Sequence, residues 1–236
     1  MWDHLANERR RPRETDPRVG TRACRRDGLA ILVPIMMAIA GVAHLLNIGS
    51  GTGGPITVSR GGTLSVGGTE QNKTIACNGG SLTLSAINSM VNVTGHCASL
   101  TMSGFDNHVN VESADAVQVS GYDNTVTDTA CRDGKLTLSG YNNAFTVGGH
   151  CASLTVSNYG NRVEVDSIDT ITVNNYGNRF TVTGHCGSLK VAAYDNQVQV
   201  DSVDTIDVSG YSNTVTYHWG SPKIVQSGYD ITVKQG

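Results

Sequence analysis

Charge is scarce in this chain: Asp, Glu, Lys and Arg make up 16% of its 236 residues, and aromatic residues only 6%. So little charge and so few large rings, set beside 28 glycines, fit many short strands joined by turns better than a helical enzyme. Catalytic signatures are missing as well. No nucleophile elbow, phosphate-cradling glycine loop or H-E-x-x-H pair occurs, so the chemistries those patterns carry have no support here. Basic residues thin out beyond the amino-terminal arm. From residue 29 onward nine Lys and Arg face fifteen Asp and Glu, which argues against a nucleic-acid surface on that part.

What is present is a repeat. Seven variants of one phrase follow each other: SGFDNHVNV (Ser103 to Val111), SGYDNTVTD (Ser120 to Asp128), SGYNNAFTV (Ser139 to Val147), SNYGNRVEV (Ser157 to Val165), NNYGNRFTV (Asn174 to Val182), AAYDNQVQV (Ala192 to Val200) and SGYSNTVTY (Ser209 to Tyr217). Steps between successive copies are 17, 19, 18, 17, 18 and 17 residues. Each period carries alternating apolar pairs, such as Val109 and Val111, then Val117 and Val119, the mark of short half-buried strands. A hairpin meander has no reason to hold one phase over so many copies. A coil that climbs one strand spacing, about 4.8 Å, per turn must hold it. The expected fold is therefore all-β, a single-chain parallel β-solenoid of 17–18 residues per rung and about nine to ten rungs, with Val, Leu, Ile and Phe stacked inside.

Two other repeat architectures fit less well. A left-handed hexapeptide helix, which would suggest an acyltransferase, needs an aliphatic residue every six positions, whereas Val109, Val111, Val117, Val119 and Val126 are unevenly spaced. Calcium-binding nonapeptide repeats need glycines and aspartates in phase, and Gly61-Gly62 and Gly67-Gly68 are too few.

The strand alternation puts the asparagines Asn107, Asn124, Asn143, Asn161, Asn178, Asn196 and Asn213 on the inward side. There an amide can bond the amides above and below and satisfy backbone groups of the turn, so this column is expected to be a structural ladder. Two residues earlier runs an aromatic column: Phe105, Tyr122, Tyr141, Tyr159, Tyr176, Tyr194 and Tyr211, extended by Tyr229. It reads either as a stabilising stack or, where the bend turns the rings outward, as a binding platform for sugars or a protein partner.

In chain order, residues 1–28 hold eight arginines against five acids without apolar periodicity, a basic disordered arm. Residues 29–48 (LAILVPIMMAIAGVAHLLNI) are apolar and, as a helix, about 30 Å long, enough to cross a bilayer. Arginines precede this segment and none follows until Arg60, so the amino terminus is expected in the cytoplasm and the repeats outside. The segment reads either as an uncleaved single-pass signal-anchor in the cell membrane or as a cleaved signal peptide, with small residues near Ala38–Ala40 and a faint twin-arginine likeness at Arg25-Arg26. The first option tethers the solenoid; the second secretes it. No cysteine directly follows the apolar run, so a lipoprotein anchor is not expected. Residues 49–55 (GSGTGGP) form a flexible spacer. The solenoid domain is assigned to 56–236, with a starting cap before Ile75 and a closing cap at Tyr217–Pro222, where Trp219 is expected to cover the open core ahead of a last partial rung at Ile224–Val233.

Cys77 to Cys131 and Cys97 to Cys151 are both 54 residues, three rungs, and GHCASL recurs at that offset. Stacked positions on adjacent rungs are about 5 Å apart, within disulfide reach. Export favours oxidation. The expected pairs are Cys77–Cys97 and Cys131–Cys151, each contributing about 3 kcal/mol on the chain-entropy estimate. Cys186 is read as opening a third copy whose second cysteine is missing, either a buried free thiol or an intermolecular link. The histidines of GHC (His96, His150 and His185) lie too far apart to share a zinc ion and are read as turn residues, so no metal or cofactor is expected. Glu112, Asp115, Asp166, Asp169, Asp201 and Asp204 recur with the repeat and are read as turn and capping acids bonding the backbone two residues on.

The combination of basic arm, apolar segment, glycine linker and then GHCxSLxV and GYxNxVxV repeats resembles a family of exported actinobacterial, mycobacterial-type proteins described only as a domain of unknown function. The resemblance covers Ile75 to Thr216 and implies a β-solenoid, with no activity, site or cofactor attached. The resulting reading is a membrane-anchored extracytoplasmic β-solenoid, not an enzyme, serving as a binding or structural module of the cell envelope with a protein or glycan partner. Two alternatives stand beside it: a glycan-active β-helix enzyme using the aspartate rungs, and a homo-oligomer or membrane-complex subunit docking through its helix or a solenoid end.

Overall fold

The computed structural model describes residues 56–236. The arm at 1–28, the apolar segment at 29–48, the linker at 49–55 and Cys24 lie outside the described residues. Among the described residues no helix is long and apolar enough to cross a membrane.

Every rung is built from parallel pairing with the rungs on either side, giving a parallel β-solenoid of about ten turns with about 18 residues each. In the first turns each rung is two short strands: β1 (Ile56–Ser59) and β2 (Thr63–Thr69), β3 (Asn72–Asn78) and β4 (Ser81–Ile87), β5 (Met90–Cys97) and β6 (Ser99–Phe105), β7 (His108–Ala114) and β8 (Ala116–Val119). Both series then merge, because in β9 (Thr125–Ser139), β10 (Ala144–Ser157), β11 (Arg162–Tyr176), β12 (Arg179–Tyr194) and β13 (Gln197–Tyr211) one strand runs through the bend. They separate again as β14 (Thr214–Trp219) with β16 (Thr232–Gln235), and β15 (Lys223–Tyr229), stacked on the two halves of β13.

The period-two alternation of the sequence becomes a set of inward columns. Val109, Val126, Phe145, Val163 and Phe180 stack in one, and Ile75, Val93 and Val111 begin a second. Leu82, Leu100 and Val117, then Leu84, Met102 and Val119, represent the columns on the far side of the bend. All are buried in one continuous core. Side chains of the same kind thus meet at one strand spacing on every turn, which is why a repetitive sequence without helical amphipathicity still closes a core.

The ends differ from the sequence reading. Ile56 already pairs with Ile75 and Thr63 with Ser81, so the first rung is a regular rung, not a separate cap. At the other end Trp219 is 68% exposed and covers nothing. Tyr217, in register with Val200, packs against the core instead, together with Ile231 and Val233. The size of an indole does not fix its direction: Trp219 falls two residues beyond the inward Tyr217, where the strand has already left the core.

Candidate functional site

One bend of each rung carries the phrase Y-[D/N/G/S]-N. The middle residue takes a left-handed conformation, as at Asp106, Asp123, Asn142, Asp195 and Ser212, which Asp, Asn and Gly tolerate best. That single left-handed step turns the asparagine inward and leaves the aromatic before it outside.

Inside, the asparagines from Asn107 to Asn213 are buried. From Asn107 to Asn196 each backbone N–H and side-chain Nδ2 donates to the Oδ1 of the asparagine one rung on: Asn161 N and Nδ2 lie 3.0 and 3.1 Å from Asn178 Oδ1. Nδ2 donates a second time, to a carbonyl of the preceding bend, as Asn161 does to Gly140 at 3.0 Å. Ser89 continues the ladder downward by donating its N–H to Asn107 Oδ1. The bend is tight. Gly121, at φ 102°, lies so close to the Gly104 carbonyl that a Cβ would collide with it.

Outside, Phe105, Tyr122, Tyr159, Tyr176, Tyr194 and Tyr211 are 40 to 54% exposed, with Tyr141 half-buried among them. Tyr122 and Tyr141 stack at 5.1 Å between ring centres, Tyr159 and Tyr176 at 4.9 Å, and Tyr194 and Tyr211 at 5.5 Å. Tyr141 meets Tyr159 edge-on at 4.4 Å. Within each of the three stacked pairs the rings cover each other's inner faces and turn ring edges and phenol hydroxyls to solvent.

The cysteines pair as Cys77–Cys97 and Cys131–Cys151, with Cα atoms 5.2 and 5.4 Å apart. Cys186 is free and buried, and burial pushes its thiol up to about 12. Its place differs from the expectation. Register links Cys151 to Ile168 and Ile168 to Cys186, so Cys186 occupies the second position of a pair and it is the first that is missing. Cys131 lies beneath Gly149, but Asp166 lies beneath the corresponding Gly184.

The histidines and acids that the sequence treated separately meet across rungs. His96, His150 and His185 place Nδ1 at 2.9, 3.1 and 3.1 Å from the hydroxyls of Ser113, Ser167 and Ser202. Their Nε2 atoms lie 3.1, 3.1 and 3.3 Å from carboxylate oxygens of Asp115, Asp169 and Asp204. Glu112 and Asp166 accept the N–H groups of Gly95 and Gly149 one rung below, and Asp201 pairs with His218. These acids therefore bond between rungs rather than to the backbone two residues on. The signal was present in sequence: each His precedes its Ser by 17 residues, one rung. No group of three or more His, Cys, Asp or Glu suited to a metal ion occurs among the described residues.

One acid does bond two residues on, and the sequence reading passed over it. Asp128 sits in a valine column, in register with Val111 below and Val147 above. It is fully buried; Oδ1 accepts the Ala130 N–H at 3.2 Å, and Oδ2 has no hydrogen-bond partner. Burial pushes the carboxyl up to about 6, against the opposing pull of the Ala130 N–H and of His96.

On the flat outer face beyond the asparagine bend, a cavity of about 470 Å³ opens over β12 to β14. Arg179, Thr181, Gln197, Gln199, Thr214 and Thr216 line it.

No curated protein and no solved structure matches this chain. A family model described as "Protein of unknown function (DUF3060)" matches it three times, over residues 84–136, 138–179 and 173–230. These matches fall on the stacked rungs themselves, and on that ground the chain belongs to the DUF3060 family of β-solenoid repeat proteins.

Proposed function

We propose that this protein is a membrane-tethered, extracytoplasmic and non-catalytic binding module of the cell envelope, whose tyrosine ridge engages a protein or glycan partner. The ridge is the observation that carries this reading. A row of exposed aromatic side chains, one per rung, carried on a buried amide ladder is an interaction surface set on a rigid element. Because the rings stack, the partner is met by edges and hydroxyls about 5 Å apart, which suits hydrogen bonding to an extended polymer more than sugar rings lying on aromatic faces. Two disulfides fit an oxidising compartment, in keeping with the basic arm and apolar segment that precede the repeats.

The glycan-cleaving alternative needs free carboxylates facing a substrate. Asp166 is engaged by the Gly149 N–H and Asp169 by His150, which leaves that reading weaker.

The test is retention of envelope glycans and membrane-extract proteins by the full-length chain in detergent, with glycan products analysed for cleavage. Retention that weakens about tenfold or more when Tyr159, Tyr176 and Tyr194 become alanine is the expected result. Retention that ignores this triple change would sink the ridge as the site. Cleavage abolished by Asp169→Asn or Asp204→Asn would replace the binding module by an enzyme.

A further inference from the structure

We infer that the outer face of β11 to β14 is a second binding site, for an oxyanionic group carried on a sugar chain, with Arg162 and Arg179 as the anion clamp. Arg162 and Arg179 are direct register partners on neighbouring rungs, so their side chains leave the face about 4.8 Å apart. Like charges placed opposite each other on a sheet destabilise it. Among the described residues, the ion pairs within 4.0 Å involve only histidines, so neither arginine has a carboxylate partner. Glu164, the nearest acid along β11, is in register with Thr181 and makes no such pair with either arginine. Arg179 is oriented by donating from Nη2 to Gln197 Oε1 at 2.8 Å. Two neighbouring guanidinium groups, one of them oriented by Gln197 and neither within ion-pair distance of a carboxylate among the described residues, form a natural seat for a phosphate or carboxylate, each able to offer paired N–H donors.

Arg179 lines the cavity and Arg162 stands one rung outside it, so the rest of the cavity determines what carries the anion. Beside Arg179 its side chains are hydroxyls and amides from Thr181, Gln197, Gln199, Thr214 and Thr216, while Phe180 and Val198 turn into the core. A lining of neutral donors and acceptors without exposed apolar side chains suits a polyhydroxylated body, not an apolar one. The chain from residue 29 onward has an excess of six acids, so a general polyanion such as nucleic acid is repelled by most of the surface. An anion that binds here must do so at this pair. The inference rests on these residues alone and is independent of the tyrosine ridge.

The experiment is calorimetric titration of the full-length chain in zwitterionic detergent with three probes: oligogalacturonate, a phosphorylated maltooligosaccharide, and the same maltooligosaccharide without phosphate. The expected outcome is binding of one or both charged probes, weakened by salt, with none of the neutral one. Which charged probe binds identifies carboxylate or phosphate as the source. Arg162→Gln and Arg179→Gln should each weaken binding about tenfold, Gln199→Ala several-fold, and Lys135→Gln not at all. Both arginines are exposed, so the variants should keep the wild-type circular dichroism spectrum. The Tyr159, Tyr176 and Tyr194 triple variant should bind these probes as wild type does, which separates this site from the ridge. Equal binding of the neutral oligomer, unchanged affinity in the arginine variants, or no heat with either charged probe would overturn the inference. Inorganic phosphate binding as tightly as the phosphorylated sugar would overturn the assignment of a sugar body.

Discussion

Replacing Asp128 by asparagine removes a charge from a position flanked by two valines and leaves the side-chain shape almost unchanged. In the folded chain the carboxyl titrates at about 6 instead of 3.8, a difference of about two units, or about 3 kcal/mol at about 1.4 kcal/mol per unit. Because the folded pKa is raised, the folded state holds its proton more tightly than the unfolded chain. Below about pH 4 both states are protonated and no penalty exists; it develops as pH rises from about 4 to 6 and is complete above 6. Asp128→Asn should therefore become progressively more stable relative to wild type across that window. The asparagine Nδ2 brings a donor to a place where Oδ2 has no partner, and this adds an offset, but an offset that does not vary with pH. Thermal unfolding of both proteins at matched ionic strength, at pH 4 and at pH 7.5, reads the effect directly. The gap in melting temperature should widen by about 6 to 12 °C for a chain of this size. A gap that stays constant, or narrows toward pH 7.5, would refute the assignment of a charged, buried Asp128.

Asn161→Ala orphans the Asn143 N–H and the Gly140 carbonyl and takes from Asn143 Nδ2 one of its two acceptors, Gly121 remaining; with about 1–3 kcal/mol per orphaned group, a loss of about 2–5 kcal/mol in urea unfolding is expected. Gly121→Ala drives a Cβ into the Gly104 carbonyl at a left-handed φ, and should lower the denaturation midpoint more than alanine at an exposed strand position such as Thr155. Replacing Cys131 and Cys151 together by serine should cost about 3 kcal/mol. In the native protein iodoacetamide at pH 8 should leave Cys186 unmodified until denaturant is added, because its thiol is buried and titrates only near 12; mass spectrometry decides.

The solenoid was legible because its physics is periodic. A one-rung phase in Asn107 to Asn213 and alternating valines fix strand, stack and core together. The cysteine pairs followed from the same arithmetic. What escaped depended on direction or on a break in the pattern. Outward tyrosines follow from the left-handed residue after each ring, a backbone choice that Asp, Asn, Gly and Ser allow without announcing. Asp128 was visible as the final letter of SGYDNTVTD, where five of the other six copies end in valine, yet only stacking shows that this letter is buried. The His–Ser–Asp contacts join residues of successive rungs, so no local motif contains them. Cys186 was misplaced because it was matched to the start of the three-rung pattern, when its GHC phrase marks the second cysteine.

Both cross-links lie between Cys77 and Cys151, so the rungs from Arg162 onward are held by hydrogen bonds and packing alone. A rod stapled at one end and unstapled at the other responds unequally to tension. Pulled by its carboxyl terminus, it should peel from β15 and β16 inward, each rung of about 18 residues releasing about 60 Å of chain as one asparagine leaves the ladder. At Cys151 the load passes through the disulfide to Cys131, so the loop between them, with its sequence separation of 20, cannot extend. The protein would then behave as a leash that lengthens freely at its tip and is shortened in its lower half by two covalent loops.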